Sequence, residues 1–421
     1  MSGSAGAGAE VLWLLPLSVA ERRAASLVCS GWKAAIDDAW ADEGITVDDA
    51  ALDVLLQPRW QRLTRLRVRG HPNPAHRVPF DSLPVELPRL WHLCLDDVKT
   101  PLFPGMFTGV FRRAPSLRSL DMVAHMYLPN YAQTLRHARC MLISGARALE
   151  HAALRGRGLV MYPSMELGGA AAVTAMVTVR HALDWPPVLM PRLRSFTNTG
   201  KQFSAVVVDA PLHTAEIEEP DEGPWIAYRL GVACDGLRRL TWTVPAPPSP
   251  ASSWPQLAAV QRFDRLQTLV LHVCNVRTAT VASRVLASLA GLPHGLRRLA
   301  VRLDIPWPFG RVDWGGRPLA HLRHLVALDL EVPFAATGLE AAMPDFLGAP
   351  STLAAASLAV TYGHECDDTA DDDDTNDADD GADTRREHLA ATVAACIHVR
   401  PALRLALRGL PRVPCETIEQ S

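Results

Sequence analysis

At 421 residues and 48% hydrophobic content, the chain is too long for one ordinary core and is expected to form several domains or a repeat array. Its net charge of −3 hides a split, because residues 367–383 hold ten Asp and no basic residue while the remainder carries about +7. That mild excess excludes the basic stripe of a nucleic-acid binder, and no run reaches the ~20 apolar residues that span a bilayer.

Residues 1–10, rich in Gly, Ser and Ala, read as a flexible leader. The apolar run Val11 to Ala20 ends in Ser18-Val19-Ala20, like a signal-peptide cleavage site. The residues before it contain Glu10 and no Lys or Arg, which argues against secretion. Ser18 and Glu21 form a capping box, so a helix is predicted from about Val19 to about Cys29. Trp32, Ala35, Ile36, Ala39 and Trp40 share one face of a second helix. Residues 11–45 therefore read as a small helical unit that must dock on something, since two short helices cannot bury both faces alone.

From 46 to 366 the pattern Leu-x-x-Leu-x-Leu recurs loosely. It opens at Leu63, Leu90, Leu117, Leu149, Leu193, Leu212, Leu237, Leu266, Leu296 and Leu325, with a degenerate copy at Leu353. Most spacings lie near 20–29 residues, with longer steps after Leu117 and Leu149 that imply insertions. The pattern resembles a leucine-rich repeat array. The fold class it implies is α/β: an irregular solenoid or horseshoe, strands on the concave side and helices on the convex side. An irregular Leu-rich α/β domain is the alternative.

Val281, Val285, Leu286 and Leu289 predict one connecting helix, stopped at Gly291-Leu292-Pro293. Residues 170–183 and 388–398 predict two more. Leu266-x-x-Leu269-x-Leu271-x-x-Cys274-x-Val276 is the only full match to the longer repeat consensus. Where His125, Pro245 or Pro333 replaces Asn or Cys, the side-chain ladder that satisfies backbone groups is expected to be broken.

Strand alternation places a defined set of side chains on the concave face. They are Arg65, Arg67 and Arg69, then His92, Asp96, Asp121, His151 and Arg155, then Arg239, Arg298 and Arg302, and finally Asp329 and Glu331. Three arginines on one strand repel one another unless an acidic group approaches. The candidate target-binding residues are Arg65, Arg67, Arg69, His92, Asp96, His151, Arg155, Arg239, Arg298 and Arg302, suited to a carboxylate- or phosphate-bearing segment.

Residues 201–224 and 245–255 break the rhythm, and Pro245 to Pro255 reads as an exposed loop. Trp254, Trp307 and Trp314, beside Pro or Gly, plug grooves between repeats or anchor a partner. Residues 367–383 read as a disordered acidic insertion, and 384–421 as a terminal repeat or cap. The eight cysteines show no Cys-x-x-Cys pair and sit mostly in apolar surroundings, which predicts buried thiols in a reducing compartment. His364-Glu365-Cys366 is one short cluster without a fourth ligand, so no metal and no cofactor are expected. No hydrolase, nucleotide-binding or metalloprotease motif occurs, so the chain is not expected to be an enzyme.

Leu14-Leu15-Pro16-Leu17, Ala25-Ser26-Leu27-Val28-Cys29 and Trp32 resemble the second half of an F-box, with Val-Cys-x-x-Trp the most specific part. The usual opening Leu-Pro and leading helix are missing, so the F-box is truncated at its front. The resemblance implies that Leu15, Pro16, Leu27, Val28, Cys29 and Trp32 contact a Skp-type adaptor. F-box and repeats together imply a non-catalytic substrate receptor of an SCF-type cullin-RING ubiquitin ligase, cytoplasmic and/or nuclear. Its partners would be the adaptor, a cullin scaffold and a target protein, with no nucleic acid or membrane. The alternative is a free-standing repeat scaffold whose N-terminal helices only cap it.

Overall fold

A computed structural model describes residues 44–73, 76, 80, 83–98, 108–125, 131–157, 187–199, 206, 208–218, 236–246, 260–276, 278–304, 318–333, 352–361 and 404–408. The expected F-box-like unit, the helices at 170–183 and 388–398, the acidic insertion and His364-Glu365-Cys366 lie outside these residues. So do Trp254, Trp307 and Trp314.

The chain divides into two compact units, Met1–Ala210 and Pro211–Ser421, both of mixed α/β character. In the first, six strands pair in chain order, all parallel. They are β1 (Ile45–Asp48), β2 (Arg65–Arg69), β3 (His92–Asp96), β4 (Ser119–His125), β5 (His151–Arg157) and β7 (Ser195–Thr199). A separate two-stranded parallel sheet joins β6 (Val188–Leu189) to β8 (Val208–Asp209).

The second unit repeats the same plan with seven strands. They are β9 (Thr214–Glu218), β10 (Arg239–Pro245), β11 (Thr268–Cys274), β12 (Arg298–Leu303), β13 (Ala327–Pro333), β14 (Ala355–Thr361) and β15 (Arg404–Arg408). A parallel neighbour requires the chain to return to its starting end, which explains the long step between strands.

Among the described residues Thr108–Arg113, Tyr131–Gly145 and Ala279–Ser288 form α-helices. Other described connections use tight 3-10 turns, as at Asp49–Leu56 and Pro58–Arg62. Ala279–Ser288 matches its prediction. The Thr278 hydroxyl accepts the Val281 amide at 3.2 Å as an N-cap, and Val281, Val285 and Leu286 are buried together with Leu289 just beyond.

Each pattern leucine marks the same place in the backbone. Leu63, Leu117, Leu237 and Leu325 all stand two residues before a strand and are fully buried. Their amides usually close a tight turn onto the carbonyl three residues back, as for Leu63 onto Trp60 at 2.9 Å and Leu266 onto Phe263 at 2.9 Å. The next two amides then both donate to one carbonyl of the preceding strand's entry. Arg297 and Arg298 share the Gln267 carbonyl, and Val326 and Ala327 share that of Arg297. Two further apolar side chains per strand point to the same side, such as Leu269 and Leu271 of β11, and each contributes about 1.5–3 kcal/mol by leaving water.

At several described strand ends, backbone groups of successive strands satisfy one another. Gly70 donates to the Asp96 carbonyl and Asp97 to that of Val123, each at 2.7 Å, and Val276 donates to that of Asp304 at 3.1 Å. Asp97 and Asn275 adopt φ of 58° and 59° as the chain turns away, a conformation their short polar side chains tolerate. Gly70 lies so close to the Asp97 carbonyl that a Cβ there would overlap it.

Pro245 is also not the start of an exposed loop. It is buried as the last residue of β10, paired in register with Cys274, and the Ala246 amide donates to the Cys274 carbonyl at 2.8 Å. At a strand's end the missing Pro N–H costs no ladder bond. The interval 201–224 likewise holds β8 and β9. Cys94 and Cys140 are buried, and burial pushes the Cys140 thiol up from its ordinary value.

Candidate functional site

Side chains opposite the apolar face form rows across each sheet. In the first unit one row runs Arg65, His92, Ser119, His151 and Ser195. Another runs Arg69, Asp96, Val123, Arg155 and Thr199. Arg65, Arg69, His151 and Arg155 are exposed, as period-two alternation requires.

Two of the predicted residues are not available in the way alternation implies. Asp96 is buried, with only 3% of its side chain exposed, and Arg67 lies across it as an ion pair whose Nε donates to Oδ2 at 3.1 Å. The Asp96 hydrogen bond holds the Arg67 guanidinium above its ordinary pKa. The expected repulsion among three arginines is therefore relieved inside the sheet, by the next strand. Arg155 similarly pairs with Asp121 at 2.9 Å but keeps 47% of its side chain exposed.

His92 is half-buried, and burial lowers its pKa, with Asp121 opposing and Arg65 and Arg155 adding to the effect. It is a neutral hydrogen-bonding group at neutral pH, its Nδ1 lying 2.9 Å from Ser119 Oγ. Among the described residues Arg69 makes no ion pair. The Arg65 guanidinium lies 5.1 Å from the centre of the Trp91 ring, itself exposed at the entry to β3. Sequence reasoning missed Trp91 because it stands outside the strand. The available signal was an aromatic residue in the position just before a strand whose neighbour carries Arg.

The second unit's open face is mixed in charge. One row runs Thr214, Arg239, Thr268, Arg298 and Ala327, and another runs Glu218, Thr243, His272, Arg302 and Glu331. Arg239, Arg298 and Arg302 are exposed, and the first two make no ion pair among the described residues. Arg302 is shared between Asp304 and Glu331, each at 3.4 Å.

One further cluster stands at the ends of β11 and β12, where His272, Cys274 and Asp304 come together. His272 Nε2 lies 2.9 Å from Asp304 Oδ2 and 3.7 Å from Cys274 Sγ. Cys274 is only half-buried, unlike the buried thiol that its apolar surroundings predict. The alternation of β11 continues to its end, so Val273 is buried and Cys274 shares the open face with His272.

The six candidate adaptor-binding residues, Leu15, Pro16, Leu27, Val28, Cys29 and Trp32, lie outside the described residues. No described helix is long and apolar enough to cross a membrane. Each unit presents arginines and histidines on the open face of its own parallel strands, an arrangement suited to holding an extended segment. Comparison with protein-family models finds no match to the chain, and comparison with curated proteins finds none.

Proposed function

We propose that the chain is the substrate-recognition subunit of an SCF-type ubiquitin ligase. The F-box-like segment binds a Skp-type adaptor, and a leucine-rich repeat solenoid presents its strand face to the target. The observation that carries the target-binding half is the open strand face. Arg65, Arg69, Arg239 and Arg298 recur at fixed register positions, exposed and without ion pairs among the described residues. Fork-shaped guanidiniums held on strands favour carboxylate or phosphate groups in the partner. The Val28-Cys29-x-x-Trp32 motif supports the adaptor half. The work of such a subunit is proximity: it holds a target lysine near a ubiquitin carrier supplied by the complex.

The open strand face alone supports a second reading, a repeat scaffold that binds partners without a ligase. Affinity purification of the full chain, followed by mass spectrometry, separates the two. The receptor reading expects adaptor and cullin alongside captured targets, whereas the scaffold reading expects targets alone.

The face itself is tested by Arg65→Glu with Arg69→Glu. This pair is chosen over Arg67 because removing Arg67 would leave Asp96 buried without its cation, at about 2 kcal/mol or more. The double variant is expected to keep its thermal midpoint and adaptor, lose most captured targets and flatten the salt dependence of the rest. An unchanged set of captured proteins would place recognition elsewhere.

A further inference from the structure

We propose that His272, Cys274 and Asp304 form a zinc site with three protein ligands and an open fourth position on the strand face. The argument begins with donor type. One imidazole nitrogen, one thiol sulfur and one carboxylate oxygen form a mixed set that suits Zn2+ and not the all-oxygen shells of Mg2+ or Ca2+.

Geometry agrees. With ordinary zinc bond lengths, tetrahedral ligands stand about 3.6 Å apart for N and S and about 3.4 Å for N and O. His272 Nε2 lies 3.7 Å from Cys274 Sγ and 2.9 Å from Asp304 Oδ2, and all three donor atoms fall within 4.8 Å of one another. Cys274 Sγ also lies 4.0 Å from His272 Nδ1, so a shared metal at Nε2 requires the thiol to turn to the Nε2 side of the ring as well as the Asp304 carboxylate to swing outward by about half an ångström.

The backbone holds the three residues in place before any ion arrives. His272 and Cys274 are two apart on one strand and so project from the same face. Asp304 is fixed beside them because its amide donates to the Val273 carbonyl at 2.9 Å and its own carbonyl accepts the Val276 amide at 3.1 Å. Asn275, in the left-handed conformation, turns the chain away directly after Cys274 and leaves the thiol at the rim. Arg302 Nε approaches the other carboxylate oxygen, Asp304 Oδ1, at 3.4 Å, and so orients Oδ2 toward the imidazole. Glu331 offsets the Arg302 charge from its far side at 3.4 Å. All three ligand residues are half-buried, which leaves room for a water or a side chain of a bound partner as the fourth ligand.

The test uses the full chain, reduced and metal-stripped, titrated with Co2+ and then with Zn2+. One equivalent of Co2+ is expected to give a thiolate-to-metal absorption band, displaced on adding Zn2+. Cys274→Ser should abolish that band although seven other cysteines remain. Asp304→Asn and His272→Ala should each weaken zinc binding at least about tenfold, with far-UV circular dichroism unchanged. Asp304→Asn alters a side chain 45% exposed and keeps the test open should either other variant misfold. The proposal is overturned if wild type shows no thiolate band, or if zinc affinity is the same in wild type and Asp304→Asn.

Discussion

Trp242→Ala is expected to destabilise the second unit by about 3–5 kcal/mol, the largest effect of any single substitution considered. Trp242 is the largest fully buried side chain among the described residues, at 0% exposure. It sits in mid-strand on β10, in register between Ile217 of β9 and Leu271 of β11, which are themselves buried. The core there is built by stacking one apolar row per strand, so a cavity at Trp242 is bounded by ordered strands that cannot collapse into it. Trp242→Phe keeps most of the volume and is expected to cost less than half as much. Thermal and urea unfolding of the full chain check both. For a unit of this size the Ala variant should lower its transition by about 10 °C, and an unchanged transition would contradict the assigned core.

Acidification is expected to weaken the first unit through His137. This residue lies on the inner face of helix Tyr131–Gly145 with Leu135, Ala138 and Met141, and is 6% exposed. Its Nε2 has no hydrogen-bond partner among the described residues, and burial pushes its pKa down from 6.5 to about 4. Above pH 6.5 both folded and unfolded states leave the ring neutral, and the group adds no pH dependence. Between about 6.5 and about 4 the unfolded chain takes up a proton there while the folded one does not, so each step toward acid favours unfolding. Below about 4 both states bind the proton and the slope vanishes. The stability present at neutral pH and lost across that window is about 3 kcal/mol. His137→Leu should remove this part of the slope and stabilise the unit at neutral pH, since no polar atom is then buried unmet. Urea midpoints of wild type and variant at pH 7 and pH 4.5 decide it, and parallel losses in both proteins would assign the pH dependence to other groups.

Much of the strand frame was legible because it follows from two local rules. The first leucine of the pattern closes the turn and the next apolar pair points inward, so Leu63 through Leu353 each precede a strand by two residues. The same rule explains what was missed. In β15 the first pattern position holds Ala402, and before β1 it holds Glu43, so neither strand announced itself. Connections were less legible, because a tight 3-10 turn such as Pro58–Arg62 buries one residue, here Trp60, without any helical period.

Exposure of Arg65, Arg69, Arg239 and Arg298 follows from alternation alone. Pairing between strands does not. Asp96 looks exposed in its own strand and is covered by Arg67 from the preceding one, 29 residues away in sequence. Asp304 stands 32 residues from His272, so that cluster is invisible until the register is known.

The receptor account rests on adaptor binding, and the most direct measurement is the affinity of the purified full chain for a purified Skp-type adaptor. Wild type is expected to bind at micromolar Kd or tighter, within the range of an apolar interface of ordinary size. Leu27→Asp with Val28→Asp should abolish binding while far-UV circular dichroism and the Trp242 unfolding transition stay unchanged. A folded wild-type chain that fails to bind, or a double variant that binds as well as wild type, would contradict the account.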